Sequence, residues 1–314
     1  LIVLAHDEAS RVVQAPGRID HPRWETATNY PANSAKETFR AMTSDVPSRD
    51  WTGIHWPDMA ATDTAQWIAV LPLAATEQHG PHLPVGTDVL IAEAYLARVR
   101  SLLPAALPAT FLPLQPVGIS TEHLAFPGTL TLTTETALQG WMAIGESLAR
   151  AGIRKLVMVT SHGGNSAAMT LVAQDLRARH GMLAVTTGWN RFGAPDGLFT
   201  ADELRHGIHG GAVETSIMLA AYPQHVRRDK IADFPAATAS MDKDFRWLSA
   251  HRPAPFAWQT EDLHVSGAVG DATQASAEKG EALLDHGARA FCELLADVGR
   301  FDLAALANRP DAGR

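Results

Sequence analysis

The chain has 314 residues, 46% hydrophobic and 19% charged, enough to bury the core of one large α/β domain or two smaller ones and too apolar for wholesale disorder. Its formal charge of −8 argues against a nucleic-acid surface, which needs clustered Lys and Arg to displace counterions, and no basic run is longer than the pair Arg227–Arg228. The single cysteine, Cys292, rules out an internal disulfide, and no run approaches the ~18 apolar residues of a membrane span.

Residues 1–5 are apolar but too short for a signal-peptide core. A cytoplasmic protein is therefore the default expectation, although a chain opening on Leu leaves room for a removed leader. Residues 1–65 are rich in Pro, Asp, Thr and Trp (Trp24, Trp51, Trp56) and show no sustained period. They read as an irregular arm, packed on the body or on a neighbouring subunit. A body over 66–305 and a short tail over 306–314 follow.

In the body, 67–73 reads as a buried strand, and Asp88 is placed to open a helix through Leu103. Residues 110–117 read as a second strand, and Thr133 or Thr134 can cap a long helix ending at Gly152. The run 155–160 (KLVMVT) is rich in β-branched residues, and a helix follows from about Asn165 to His180. Another strand is expected over 183–188, a helix over 213–222 stopped by Pro223, and a last helix over roughly 274–298. Cys292 falls in that helix among Phe291, Leu294 and Leu295, and reads as a core residue rather than a nucleophile. The Ala/Pro-rich stretch around 235–255 reads as a long excursion. Strands alternating with helices imply an α/β fold with a mainly parallel sheet covered on both faces.

Three polar clusters fall just after predicted strands, the edge at which open parallel sheets bind ligands. The first is Thr76-Glu77-Gln78-His79-Gly80-Pro81-His82-Leu83-Pro84, leading to Gly86-Thr87-Asp88. Glu77 and His79 are two apart, so in an extended segment both project to one side. The Pro/Gly-rich turn can fold Asp88 back toward them, and His82 is expected to fix the loop by hydrogen bonds. The second cluster is Thr160-Ser161-His162-Gly163-Gly164-Asn165. Here His162 leaves a strand end, the glycines let a ligand approach the backbone, and the amides of the next helix can stabilise negative charge. The cluster lacks Gly-x-Gly-x-x-Gly and the P-loop Lys, which disfavours nucleotide binding. The third runs from His206 through His209-Gly210-Gly211 to Glu214, in the first turn of a predicted helix. Glu77, His79, Asp88, His162 and Glu214 together suit a pair of divalent ions, Zn²⁺ and/or Mn²⁺. Thiolates are absent from the set, and no His-Glu-x-x-His marks an ordinary zinc peptidase.

These clusters, in this order, resemble the creatininase (creatinine amidohydrolase) family. The matching segments are LPLAATEQHGPHLPVGTD at 71–88, GISTEHLAFPGTL at 118–130, VTSHGGN at 159–165, HGGAVETSIMLAAYP at 209–223 and GAVGDATQASAEK at 267–279. The resemblance implies a three-layer α/β/α fold, a homo-oligomer that is often a hexamer built as a trimer of dimers, and a dinuclear centre bridged by an aspartate, here Asp88. Glu77 and His162 would join Asp88 on one ion and His79 would bind the other, while His209 matches the family's proton-transfer histidine. Two departures stand out. Creatininase carries Tyr and a metal-binding Glu where this chain has Gly163 and Gly164, so Glu214 is the expected replacement ligand. Creatininase also has a substrate-contacting Trp-Asp where this chain has Arg205 and His206. Relatives with the His-Gly-Gly-Asn form include deformylases of pyrimidine intermediates and a peptidase of peptide-derived cofactor maturation.

The expected activity is hydrolysis of a C–N bond in a small, possibly cyclic, non-peptide amide through a metal-bridging hydroxide. One ion lowers the pKa of the bridging water and the other polarises the carbonyl. His209 is the candidate proton donor to the leaving amine, with Glu122 a second proton carrier or a structural carboxylate. His123, Gly163, Gly164, Arg205 and His206 are the candidate substrate contacts. A formamide deformylase, a small-peptide hydrolase and a non-catalytic binding protein on the same scaffold are the alternatives. A phosphoesterase would gather Arg or Lys at the site, and only Arg205 is near.

Overall fold

The computed structural model describes residues 46–250 and 253–306. The first 45 residues of the expected arm and nearly all of the expected tail lie outside the described residues. In chain order the elements are α1 (Trp56–Ala61), β1 (Ile68–Leu73), α2 (Thr87–Leu102), β2 (Ala109–Phe111), α3 (Thr134–Arg150), β3 (Lys155–Thr160), α4 (Ser166–His180) and β4 (Leu183–Gly188). They continue through α5 (Ala201–His206), α6 (Ala212–Ala221), β5 (Asp233–Phe234), α7 (Thr238–Asp244), β6 (Leu248–Ser249) and β7 (Ala254–Pro255) to α8 (Thr260–Leu263), β8 (Gly270–Asp271) and α9 (Ala277–Arg300).

The first four strands form one sheet in the order β2-β1-β3-β4, parallel throughout. Both faces of β1 are apolar because successive side chains point to opposite sides. Ile68 and Val70 join Val157 and Val159 in a core with α2, α6 and α9, through Ile91, Met218 and Phe291 among others. Ala69, Leu71 and Leu73 join Leu156 and Met158 in a second core with α3 and α4, through Trp141 and Leu176. The result is a three-layer α/β/α sandwich. β1 and β3 pair in register from Ile68↔Lys155 to Leu73↔Thr160, so their chains leave the sheet side by side. The connection from β1 runs to β2 on one side and the one from β3 to β4 on the other. That switch point is where an open α/β sheet offers a crevice.

The second strand is shorter than the sequence suggested. Pro113 and Pro116 each lack an N–H to donate, so regular pairing stops at Phe111; beyond it the chain follows β1 through Leu112 N–H to Val70 O (2.9 Å) and an isolated bridge at Gln115, whose N–H donates to Pro72 O (3.0 Å) and whose O accepts from Ala74 N–H (2.9 Å). Helix α3 starts where Thr133 caps the Thr136 N–H, and α4 ends on Gly181 at φ +65, the left-handed cap that suits glycine. Asp88 does not cap α2: Gly86 is the N-cap residue, and Asp88 sits in the first turn with its carboxylate free for another task. Residues 46–66 run in short turns against the body. Trp51, Ile54 and Met59 pack on the second core, and Phe111 N–H bonds to Arg49 O at 2.8 Å. Cys292 is half-buried on α9 beside Val99. Among the described residues, no helix is long and apolar enough to cross a membrane.

Candidate metal centre

Past β1 the chain turns through Thr76 and delivers Glu77 and His79, both buried, into the crevice. The His79 ring is held by its Nδ1–H, which donates to Glu77 O at 3.0 Å and leaves Nε2 aimed inward without a partner. Past β3, Thr160 Oγ1 accepts from His162 N–H (3.0 Å), and Asn165 locks the turn. The buried Asn165 amide donates to Ala74 O (3.0 Å) and Thr160 Oγ1 (3.2 Å) and accepts from Ile119 N–H (3.0 Å), stitching three loops together. His162 Nε2–H donates to Ile119 O at 2.7 Å, so Nδ1 is the nitrogen turned toward the carboxylates.

Asp88 lies between the two groups. Its Oδ2 is 3.6 Å from His162 Nδ1, which is itself 3.1 Å from Glu77 Oε1. Its Oδ1 is 3.8 Å from His79 Nε2, which is 3.9 Å from Glu214 Oε2. One carboxylate thus faces two separate ligand sets with its two oxygens. Two donor atoms each about 2.0–2.1 Å from a tetrahedral ion stand roughly 3.3 Å apart, and these contacts sit near that spacing. Glu214 is less buried than the others and also accepts the Gly210 N–H at 2.6 Å. His79, Asp88 and Glu214 form one group of possible ligands whose donor atoms all lie within 4.8 Å.

Electrostatics point the same way. Glu77 Oε1 and Oε2, His79 Nε2 and Asp88 Oδ2 are all buried without a hydrogen-bond partner. Such atoms are costly to bury unless a cation or proton compensates them. Burial works to raise the Glu77 carboxyl, yet His162, His123 and His209 outweigh it and hold the group well below the usual carboxylate range. Burial and the neighbouring Glu77 push Asp88 well above its ordinary value. Burial lowers His79 to about 4, so it is a neutral, ready ligand. Burial also opposes charge on His162, but Glu77, Asp88 and Glu122 raise it to about 10. A proton on His162 and a divalent cation are alternative ways to neutralise one acidic cluster, and the donor set fits the cation.

His209 sits on the loop before α6, pinned to Val269 by backbone bonds in both directions (His209 N–H to Val269 O at 3.2 Å, Val269 N–H to His209 O at 2.6 Å). Its Nε2–H donates to Gln78 O (2.6 Å), and Nδ1 faces Glu77 Oε1 at 3.8 Å. The His209 ring lies between those of His79 and His123, at 4.1 and 4.3 Å. Burial, followed by the crowding of these two rings, lowers it to about 3. Glu122 is 3.4 Å from His162 Nε2 and forms a further group of possible ligands with Glu77 and His162. His123 is buried with Nε2 3.3 Å from Glu77 Oε1, an ion-pair distance without the alignment of a hydrogen bond. Gly163 is exposed with open space above it, whereas a Cβ on Gly164 would lie 2.4 Å from His162 Nε2 and 2.6 Å from Glu122 Oε1. Arg205 and His206 turn toward the excursion: Arg205 Nε donates to Asp242 Oδ2 at 2.6 Å, and His206 Nδ1 contacts Thr238 Oγ1 at 3.0 Å. His82 Nε2 bonds to Thr215 Oγ1 at 2.9 Å and belongs to none of the ligand groups found among the described residues.

Sequence reasoning gave no role to Asn165, Gln78 or Glu203. The first two stand inside the motifs, next to ligands. Glu203 carries no such signal. It is buried in α5 and accepts from Ala212 N–H (2.6 Å) and Asp271 N–H (2.7 Å), tying the His209 loop to β8.

The profile of the creatininase family (creatinine amidohydrolase) matches residues 52–295. This chain belongs to the creatininase family. Among curated relatives, the creatinine amidohydrolase of Pseudomonas putida is 32% identical over 249 residues, 74% of this chain and 90% of its own. The mycofactocin precursor peptide peptidase of Mycobacterium tuberculosis (strain CDC 1551 / Oshkosh) is 33% identical over 224 residues, 67% of this chain and 77% of its own. Among solved structures, one described as creatininase Mn covers 81% of this chain and 100% of its own at 26% identity, with a TM-score of 0.64. A mutant creatininase of Zn-Zn type covers 81% and 99% at the same identity and TM-score. The three-layer fold is that of the creatininases, and the chain is a hydrolase of this family on a metal-dependent amidohydrolase scaffold.

Proposed function

We propose that this creatininase-family protein binds two divalent ions, Zn²⁺ and/or Mn²⁺, and hydrolyses a C–N bond in a small amide other than creatinine. The observation that carries this reading is the Asp88 carboxylate, whose oxygens face His162 and His79 on opposite sides. Glu77, Asp88 and His162 would hold one ion, and His79, Asp88 and Glu214 the other. When bound, the ions supply an activated water and a polarised carbonyl.

The remaining work falls to the chain's own side chains. His209 offers a neutral Nδ1 to the site while its other nitrogen is anchored on Gln78 O. A group in that state takes a proton at Nδ1 from the attacking water and hands it to the leaving nitrogen. Burial keeps that nitrogen unprotonated before the reaction, ready to accept. Glu122, 3.4 Å from His162 Nε2, would serve as a second proton carrier. Gly163 and Gly164 lead into α4, whose first amides favour developing negative charge.

A short-peptide hydrolase is the second reading. It is favoured by the open space above Gly163, where creatininase carries a tyrosine, and by the peptidase among the relatives. A homo-hexamer is the assembly proposed with either, tested by light scattering. Elemental analysis and a product-detected screen of creatinine, cyclic amides, formamides and short peptides test the function. The expected result is two ions per chain and turnover of an amide, with creatinine slow or inert. Fewer than about one ion in an active sample would end the dinuclear reading. Creatinine turnover at the ~10⁴ M⁻¹s⁻¹ of ordinary enzymes would refute the substrate exclusion. Turnover of no amide at all by the metal-loaded protein would leave a binding protein.

A further inference from the structure

Gln78 stands between Glu77 and His79 in the chain, and each of its polar groups is spoken for. Its side-chain Oε1 accepts the Gly80 N–H at 2.8 Å. Its Nε2 donates to Gly267 O and to His123 Nδ1, both at 2.8 Å. Its backbone O receives the His209 Nε2–H at 2.6 Å, and its N–H donates to Thr129 Oγ1 at 3.2 Å.

The amide cannot be turned over in this setting. Flipping it would aim an NH₂ at the Gly80 N–H and a carbonyl oxygen at Gly267 O. The cradle is also shaped to it: Gly80 and Gly267 both have positive φ, +71 and +81, and a Cβ on Gly267 would lie 2.2 Å from Gln78 Oε1. With Nε2 fixed as the donor, His123 Nδ1 must accept, so the neutral His123 ring carries its proton on Nε2. That nitrogen faces Glu77 Oε1 at 3.3 Å. Thr260 Oγ1 lies 2.8 Å from His123 Nδ1 and 2.9 Å from Glu122 O, and with Nδ1 unprotonated its one hydroxyl proton is directed at Nδ1.

We infer that Gln78 is a positioning residue that orients both non-ligand imidazoles of the site, presenting His123 Nε2–H to Glu77 through its side chain and His209 Nδ1 to the centre through its backbone. The inference rests on the proposed metal centre, but its primary readout, the tautomer, needs neither substrate nor turnover. An imidazole N–H beside Glu77 Oε1, the oxygen that also faces His162 Nδ1, fixes how that carboxylate meets the ion, the way outer contacts orient metal ligands. Gln78→Glu tests this: the carboxylate keeps the bond from Gly80 N–H but has no proton for either Gly267 O or His123, so His123 Nδ1 must become the donor.

The test is long-range ¹H–¹⁵N NMR on zinc-loaded, ¹⁵N-histidine-labelled protein, with the His123 signals assigned from their loss in His123→Gln. In the wild type, His123 should show an unprotonated Nδ1 and a protonated Nε2. In Gln78→Glu, Nδ1 should gain a proton, and chelator competition should find zinc bound about 10–100-fold more weakly. A wild-type His123 protonated on Nδ1 would overturn the inference whether or not the variant folds. A folded Gln78→Glu protein with the wild-type tautomer would overturn it too, as would one with unchanged zinc affinity. A wild type that binds no zinc at all would instead count against the metal centre itself.

Discussion

At the scale of single residues, the centre depends on which atom of each side chain faces inward, and the backbone decides that. His79 turns Nε2 inward because Nδ1–H is tied to Glu77 O, and His162 turns Nδ1 inward because Nε2–H is tied to Ile119 O. Asp88 is free to serve both sides because Gly86, not Asp88, occupies the N-cap position of α2. Asp88→Asn keeps the shape and removes the charge, so the fold should survive while two cations lose the carboxylate that offsets their repulsion. The expected outcome is fewer than one ion per chain by elemental analysis and almost no activity. Two retained ions with near-normal turnover would reduce Asp88 to a buried polar residue. His209→Ala should behave differently, keeping both ions and losing roughly 10²–10⁴-fold in kcat, the usual worth of a positioned proton carrier. Loss of an ion from that variant would make His209 Nδ1 a ligand, since it shares a group with Glu77 and His79.

At the scale of elements, the loop that follows β3 is built on two glycines that are not equivalent. A Cβ at Gly163 meets nothing within 4 Å, whereas one at Gly164 lies 2.5 Å from Ile119 O and 2.4 Å from His162 Nε2. Gly163→Ala should therefore leave stability and metal content unchanged. Gly164→Ala should split the His162–Ile119 contact, destabilise by about 1–3 kcal/mol and weaken metal binding roughly 10–100-fold. Thermal melts and chelator competition on the pair check this, and equal behaviour would mean the loop relaxes freely. The same loop marks how far the sequence could be read. Strands β1, β3 and β4 were legible because runs such as KLVMVT between polar turns have few other uses, and the ligand spacing followed from their ends. Strand β2 was overestimated because its apolar run continues past Phe111, where regular pairing stops. Asn165, Gln78 and Glu203 were missed because they act through bonds to backbone groups far along the chain, which spacing does not reveal. Arg205 and His206 were placed by analogy, and their partners Asp242 and Thr238 lie in an excursion whose packing has no periodic signature.

At the scale of the whole molecule, the centre joins β1, α2, β3 and the loops around α6, so protons, metal and folding are coupled through it. In the metal-free protein, burial opposes charge on His162, but Glu77, Asp88 and Glu122 raise it to about 10 from an ordinary 6.5. Burial together with Glu77 raises Asp88 as well. Metal must displace at least the His162 proton near pH 7, whereas His79, lowered to about 4 by burial, has none to give. The metal-bound form therefore holds fewer protons, and zinc affinity should rise with pH by about 10-fold per unit for each proton released, here between pH 6 and 8. The sign for stability follows from the same shift. A histidine raised on folding contributes stability that is complete below its unfolded value and disappears as pH climbs through about 10. Metal-free protein should thus lose stability from pH 7 to 10, while the loaded form, with a cation where the proton was, should resist that loss. Ligand linkage gives about 4 kcal/mol at a thousandfold excess over Kd, which at 2–4 °C per kcal/mol is a Tm gap of roughly 10 °C between loaded and chelated protein. Melting curves with and without chelator across that pH range measure both effects. A gap that stays constant from pH 6 to 10, with zinc affinity flat between pH 6 and 8, would mean that His162 carries no proton against Glu77 and Asp88 in the metal-free protein.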